Sequence, residues 1–503
     1  MRLFNKIQTM KTINNRILKY SLVALLALPL LNSCSDEDFL DRRPLGIASE
    51  GDLKTGGFEE KAFGLYGQLR TIDGITTWER FFFESVRSDD ATTGSNTGDQ
   101  TSFDPYFEKY QYTATHFMNG NNWNGHYKLI YACNDLIDAV DKAEATDEGS
   151  QINKAEAMVF RAFALFDLRR DYGEVPIVLN KIVVPGDAIK AKSSIADVDA
   201  QIISDLTFAI EHLPLNWPAY PGRATKGFAN TLLAKLYLYQ GEWSKSLAKS
   251  QEVISSGQYA LGTSYNDQFK MAGNNSSEAI FEVQFLYGSG LEYKNNYWEA
   301  QSVRGAGIWN LGYGLNVPST NLIASYEPND PRKAATILVS GQDDGYGRTL
   351  PSSPPADQLY WNKKSYSVPS ERDKYGQLFN YWTNIKILRY ADVILMAAEA
   401  SNELNNSSAA ADYLEMIRAR ARGNNSAILL PITGGQSTLR TAIKQERRVE
   451  FGMENERFYD LVRWGDAVST LGSLGYQDKN KYYPIPQTAI DQSGGILVQN
   501  PNY

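Results

Sequence analysis

Cysteine and histidine are scarce in this chain. Its 503 residues include two cysteines, Cys34 and Cys133, and three histidines, His116, His126 and His212. That inventory assembles neither a disulfide framework nor a Cys/His zinc site. An excess of positive charge is lacking too: 50 Lys and Arg stand against 58 Asp and Glu, a net charge of −8. Nucleic acid needs a basic footprint, so it is excluded as a partner, and anionic lipid headgroups fare no better. No apolar run reaches the roughly 20 residues of a membrane-spanning helix. A G-x-S-x-G nucleophile elbow is absent, and no histidine sits in a triad context.

What the chain has in abundance is aromatic side chains, 12% of the whole with 30 Tyr and 9 Trp. It is long enough for a large core. Residues 1–33 read as a secretory leader. Lys11, Arg16 and Lys19 precede the apolar run Ser21 to Leu31, which only Pro29 interrupts. Met10 opens the tidier basic region, MKTINNRILKY, and is the alternative start to Met1. Leu31-Asn32-Ser33-Cys34 resembles a bacterial lipoprotein cleavage box, with Asn32 where a small residue is usual. Cys34 is therefore the expected lipidation site, and stable anchoring takes at least two acyl chains. Residues 34–45, with Asp36, Glu37 and Asp38 at their start, read as an acidic lipidated leash. The leader holds five basic residues and no acids, so residues 34–503 carry 45 basic and 58 acidic groups, a net of −13.

Beyond the leash, helical periodicity governs much of the chain. Phe63, Tyr66 and Leu69 fall at helical spacing, as do Trp123, Tyr127, Ile130, Tyr131, Asn134 and Ile137. His126 reads as a partnered packing residue and Cys133 as a small buried hydrophobe. Residues 227–261 read as helix, turn at Gln240-Gly241-Glu242, and helix. With Ala234 at position 8 of a tetratricopeptide frame, Tyr237, Ser246, Ser250 and Val253 fall at 11, 20, 24 and 27. Ala398, Ser401, Ala410, Leu414 and Ile417 obey the same frame. A looser third copy has Ala162 and Leu165 in its first helix and Leu206, Ala209 and Pro214 in its second. Small residues at positions 8 and 20 let paired helices approach closely.

Ala391 to Ala400 is apolar except for Asp392 and Glu399, which suits a core helix. Arg389 and Asp392 are spaced to share a helix face. Glu446, Glu450 and Glu454 recur every four residues around Arg447 and Arg448. Side-by-side carboxylates on one helix do not flank a glycosidic bond, so ion pairs bracing a packed helix are expected. Pro484 and Pro486 make Tyr482 to Gln487 extended.

Two stretches lack periodicity. Asp89, Asp90, Asp99 and Asp104 lie in a polar loop, but their spacing fails the D-x-[DN]-x-[DN]-G pattern of a calcium loop. No metal or other cofactor is expected, a structural calcium at that loop being the one exception weighed. Between Ala272 and Ser370 only EAIFEVQF reads as a strand. There Tyr287, Tyr293, Tyr297, Trp298, Trp309 and Tyr313 alternate with Asn295, Asn296, Glu299, Gln301 and Arg304. Aromatic rings cover the C–H faces of sugars, and amides, carboxylates and guanidiniums satisfy their hydroxyls. Loops on a rigid scaffold are where such surfaces are built.

The combination of segments carries a family resemblance. The lipoprotein box, Ser88-Asp89-Asp90, WNGHYKLIYACNDLI, AEAMVFRAFALFDLRRDYGEVPI, GRATKGFANTLLAKLYLYQGEW, GYGLNVPSTNLIASYEPNDPRKAATI, RYADVILMAAEA, ERRVEFGMENERFYDLVRWG and YYPIPQ with QNPNY resemble the SusD/RagB family, in its order and over nearly the whole chain. The resemblance implies a mainly α fold for residues 46–503 as a single SusD-like domain. Tetratricopeptide-like helical pairs at about 120–260 and 380–470 would form the scaffold, and loop-rich binding regions would lie at about 70–115 and 270–375. It implies an outer-membrane lipoprotein of Bacteroidota, facing the cell exterior and without catalytic residues. Such a protein captures oligosaccharides for a SusC-like TonB-dependent transporter; a peptide or other nutrient is the alternative ligand, and a surface glycoside hydrolase the alternative class. The family's binding site is carried over by region only, which points to Trp78, Arg80, Asp89, Asp90, Tyr293, Tyr297, Trp298 and Trp309 as ligand contacts.

Overall fold

The structure is a computed structural model that describes residues 58–71, 73–288, 291–292, 294–352 and 358–503, with the backbone alone for 291 and 292. Cys34, the leader, the acidic leash and Tyr293 lie outside the described residues. The fold is mainly helical.

The early helices are α1 (Glu59–Thr71), α2 (Trp78–Phe81), α3 (Thr97–Phe103), α4 (Phe117–Lys142), α5 (Glu148–Tyr172) and α6 (Ile195–His212). The middle of the chain supplies α7 (Lys226–Gln240), α8 (Trp243–Ser255) and the short α9 (Asn296–Gln301). Local chemistry sets their ends. Asp147 caps α5 by accepting from the Ser150 amide at 3.0 Å, and Thr225 caps α7 by accepting from Phe228 at 3.2 Å. Gly241 ends α7 in the left-handed region at φ 71° and turns the chain straight into α8. Ser246 Oγ then donates to the Ala234 carbonyl at 2.9 Å, so the small residues do let α7 and α8 approach. The pairs α5–α6 and α7–α8 pack as hairpins, with a 22-residue insert at 173–194 in the first.

The C-terminal scaffold repeats the device with α10 (Tyr390–Glu403) and α11 (Ser407–Arg422), where Ala398 and Ala410 are both fully buried. α10 is buried from Tyr390 to Asn402, as its apolarity requires. One expected contact fails. Arg389 is extended, at φ −118° and ψ 153°, so it lies outside the helix and does not face Asp392. Instead Arg389 meets Glu278, Glu450 and Glu454, while Asp392 takes Lys235 at 2.9 Å and Arg447 at 2.8 Å. Helices α12 (Gln436–Glu450) and α13 (Arg457–Arg463) follow. On α12, Glu450 is buried among Arg332, Arg389 and Arg420, which makes it the centre of an ion-pair brace.

The irregular half holds more strand than its sequence suggests. Among the described residues four two-stranded antiparallel ribbons pair β1 (Ala91–Gly94) with β5 (Leu315–Pro318), β2 (Ala279–Val283) with β8 (Ile385–Arg389), β3 (Tyr287–Gly288) with β4 (Leu291–Glu292), and β6 (Ile337–Val339) with β7 (Tyr360–Asn362). The strands are too short for periodicity to reveal them. The β1–β5 ribbon joins the two loop regions on which the candidate site stands. Beneath this half lies a second apolar core of Val303, Trp309, Leu311, Val317, Leu338, Leu350, Trp361 and Tyr366.

The tail closes on α5. Tyr483 N donates to the Asp171 carbonyl at 2.7 Å, and Asn500 Nδ2 donates to the Tyr172 and Tyr483 carbonyls, both at 2.9 Å. His126 and Cys133 are buried in α4, with His126 Nδ1 2.6 Å from the Asn122 carbonyl.

Candidate functional site

Six of the residues expected to touch a ligand are committed elsewhere. Asp89 accepts from Arg457 Nε at 2.8 Å and Arg448 Nη2 at 2.9 Å, and Asp90 accepts from Arg448 Nε at 2.7 Å. Burial pushes the Asp89 carboxyl up, but the Arg457 and Arg448 guanidiniums more than reverse this. For Asp90 burial wins and its carboxyl titrates above the usual range. Together these groups brace the loop. Arg80 lies buried between Asp167 and Glu84, each at 3.1 Å.

The aromatic expectations are corrected in the same way. Tyr297 is 3% exposed; its hydroxyl accepts from Asn455 Nδ2 at 3.0 Å and its ring packs on Phe81 and Trp298. Trp298 is 5% exposed, with Nε1 donating to the Thr383 carbonyl at 3.1 Å. Trp309 belongs to the second core. Tyr297 and Trp298 offer no open face because α9 is folded inward onto α2 and the 380–384 segment.

Trp78 is the exception. It is half-buried, its Nε1 donates to Glu79 Oε1 at 2.9 Å, and its ring leans on Phe103 and Phe117 at centroid distances of 6.3 and 6.4 Å. Phe117, the first residue of α4, is 53% exposed. Asn121, one turn on, donates to the same Glu79 oxygen at 3.0 Å. Trp78 and Phe117 thus form an outward aromatic corner whose polar atoms are already oriented.

From Phe103, helix α3 leads back one turn to Asp99. Arg304 Nη1 donates to Asp99 Oδ2 at 2.9 Å and to Ser95 Oγ at 2.6 Å, with both charged side chains about one-third exposed. Ser95 Oγ in turn donates to the Tyr313 carbonyl at 2.7 Å, and the Tyr313 amide donates to the Glu299 carbonyl at 3.1 Å. Loop 303–314 is therefore clamped between α9 and the end of β1. Gly312 is required there, since a Cβ would lie 2.0 Å from the Glu299 carbonyl oxygen. The clamp turns the Tyr313 ring outward, 53% exposed. Glu299 beside it lifts the Tyr313 hydroxyl's pKa, and burial adds to this. Glu299 Oε2 also accepts from the Tyr381 hydroxyl at 2.9 Å. Beyond Tyr381 come the half-buried rings of Tyr287 and Phe379, at 5.8 and 5.7 Å.

The result is a chain of contacts that links Phe117 and Trp78 through Phe103, Asp99 and Arg304 to Tyr313, and through the buried Glu299 and Tyr381 to Tyr287. Phe117 and Tyr313 are exposed and Trp78 and Tyr287 half-buried, with the partly exposed Asp99–Arg304 pair between them and Glu299 buried behind Tyr313. Such a face can cover C–H surfaces and receive hydroxyl hydrogen bonds at once. Sequence reasoning included Tyr287, Glu299, Arg304 and Tyr313 within the aromatic loop but placed its weight on their buried neighbours. It missed Phe117 and Tyr381 altogether. Phe117 opens a helix whose apolar stripe begins later, and Tyr381 lies in an irregular segment without a pattern. Among the described residues no cluster of His, Cys, Asp and Glu has the arrangement of a metal site.

Comparison with known proteins adds to this geometry. Residues 277–481 match the model of the SusD family, and residues 71–238 match a family described as starch-binding and associating with the outer membrane. A SusD-like protein P25 of Formosa agariphila is 26% identical over 89% of this chain and 90% of its own length. A SusD-like protein of Bacteroides ovatus is 26% identical over 89% and 83%. Among solved structures, a laminarin-binding SusD-like protein superposes with a TM-score of 0.74 at 26% identity, covering 89% of this chain and 99% of that one. Surface glycan-binding protein A of Bacteroides thetaiotaomicron, solved with laminarihexaose, has a TM-score of 0.71 at 24% identity, over 89% and 99%, and shows the shared fold.

Proposed function

The chain belongs to the SusD/RagB family, and from that membership we propose that it is a non-enzymatic glycan-binding lipoprotein of the outer membrane. Cys34 carries its lipid and holds it on the cell exterior. It captures oligosaccharides on the face from Phe117 to Tyr287 and passes them to a SusC-like TonB-dependent transporter for import. No cofactor takes part.

The observation that carries this reading is the match along nearly the full chain to a laminarin-binding relative. The local geometry supports it. Tyr313, Trp78 and Phe117 present apolar surface outward, and the polar atoms between them are anchored by hydrogen bonds within the protein. Binding to such a face costs little ordering entropy. A neutral oligosaccharide suits a face whose exposed cation, Arg304, is already paired with Asp99.

The test is calorimetric titration of the purified chain, lacking its leader, with a panel of oligosaccharides that includes laminarihexaose. The panel is also assayed for released reducing ends. Saturable binding without hydrolysis supports the proposal. Release of reducing ends would overturn the non-enzymatic reading. Binding of peptides in place of every glycan would move the ligand class while leaving the uptake role.

A further inference from the structure

Helix α4 carries three aromatic residues at successive turns, Trp123, Tyr127 and Tyr131. Their rings are 4.9 and 6.0 Å apart, and the Tyr127 hydroxyl donates to the Pro176 carbonyl at 2.8 Å. This ladder forms one wall of a cavity of about 520 Å³. The insert between α5 and α6 forms the opposite wall with Pro176, Pro185 and Ile189. Leu497, from the segment after the last helix, closes the floor. Three stretches far apart in sequence meet here; α4 also carries Phe117, but none of the residues lining the cavity belongs to the face from Phe117 to Tyr287. The volume falls within the range of specific binding pockets.

Two further features say what fits. The wall-forming segments expose large apolar side chains to solvent: Val183 and Val184 are 77% and 55% exposed, and Ile496 and Val498 are 53% and 56%. Apolar surface that continues outside a cavity marks a docking surface for a macromolecule. Lys128 and Lys190 stand at the cavity, exposed, and neither makes a close ion pair or a hydrogen bond among the described residues, although Lys190 lies near enough to Asp187 to help lower that carboxyl. Elsewhere Lys181 and Lys192 on the same insert are paired, with Asp135 and Glu174. In a chain of net charge −8, two exposed lysines without a close ion-pair partner beside an apolar cavity favour negative charge from outside.

We propose that this cavity docks an acidic segment of a partner protein, which inserts one large apolar side chain between the aromatic ladder and the Pro176–Pro185 wall. Its carboxylates meet Lys128 and Lys190. The mode is that of a peptide anchored by a buried side chain and registered by charge at the rim. A sugar is a poor fit, since Trp123 and Tyr127 are each only 5% exposed and the lining is mostly apolar.

The experiment pans a random peptide library displayed on phage against the immobilised chain lacking its leader. Selected peptides are then measured by fluorescence anisotropy. Enriched peptides should combine a large apolar residue with neighbouring Asp or Glu. Lys128→Glu/Lys190→Glu should weaken their binding about tenfold or more, and Ala188→Trp, which fills the cavity, should abolish it. Unchanged melting curves will show that both variants fold. Peptides without acidic residues, or binding indifferent to both variants, would overturn the proposal. So would competition by laminarihexaose, which would merge the cavity with the glycan face. Flotation with phosphatidylglycerol vesicles that only Lys128→Glu/Lys190→Glu abolishes would replace the peptide by a lipid surface.

Discussion

Arg448 Nε donates to Asp90 Oδ1 at 2.7 Å, tying helix α12 to a loop that lies 358 positions earlier in the chain. Through its Nη2, Arg448 also holds Asp89, and Arg457 holds Asp89 from the next helix. The loop at 88–90 leads directly into β1, which carries the chain to Ser95 and hence to Tyr313. The C-terminal brace and the candidate face are in this way one connected structure.

Arg448→Ala should therefore destabilise the fold by about 3 kcal/mol, because it leaves Asp90 buried without its partner. Adding Asp90→Asn should recover part of the loss. Urea denaturation of the two single variants and the double variant measures this. Additive losses would show that the pair is not coupled.

Buried and outward aromatics should separate cleanly. Tyr313→Ala and Phe117→Ala should weaken oligosaccharide binding by about 1–3 kcal/mol each with little change in stability. Trp298→Ala should instead cost about 3–5 kcal/mol of stability, since it empties a core position and removes a donor from the Thr383 carbonyl. Calorimetry paired with denaturation distinguishes the outcomes. A Tyr313→Ala chain that binds at full strength would move the ligand off this face.

Acid should unfold the brace. Burial raises the Glu450 carboxyl, but Arg420, Arg389 and Arg332 hold it well below its ordinary 4.5. Lys235 and Arg447 likewise overcome burial to hold Asp392 below 3.8. Because the folded values are depressed, their stabilisation is complete above the ordinary carboxylate range and is lost as pH falls below it toward the folded values. Denaturation midpoints should drop steeply below about pH 4.5. Glu450→Gln should shrink that drop.

The alkaline side has the opposite cause. Burial pushes Lys270 down to about 7 and Lys364 down to about 8 from 10.5. Between those values and 10.5 the unfolded chain binds more protons than the folded one, so stability rises with pH. Lys270 Nζ donates to the Lys363 and Tyr366 carbonyls, at 2.6 and 2.9 Å, and so stays in place when neutral. Lys270→Met should flatten the rise between about pH 7 and 9, as read from urea midpoints. An unaltered slope would assign the rise to other groups.

Cys34→Ala should abolish lipidation and release the chain from the outer membrane, as read by surface labelling and fractionation. Unchanged labelling would refute the anchor. In the folded chain Cys133 is fully buried and burial raises its thiol pKa, so a thiol reagent should react with it only after denaturation.

The scaffold was legible in the sequence wherever a regular element imposes a period. The apolar run Ala391 to Ala400 became a fully buried helix, Ser246 and Ala234 meet across a helix pair, and Glu446 and Glu450 are braced by arginines. Even there, Arg389 escaped its expected partner, because one extended residue before a helix points away from the helix face.

By itself the sequence determined the fold class, the family and the region that holds the aromatic loops. Composition, helical spacing and family segments are all local or cumulative properties that survive without coordinates. Which aromatics face outward was decided only by tertiary structure. Trp298 turns inward because its indole finds a carbonyl 85 positions away, and Tyr313 turns outward because Ser95, 218 positions away, clamps its backbone. An irregular loop has no period to divide its faces, so contacts between distant segments make that choice.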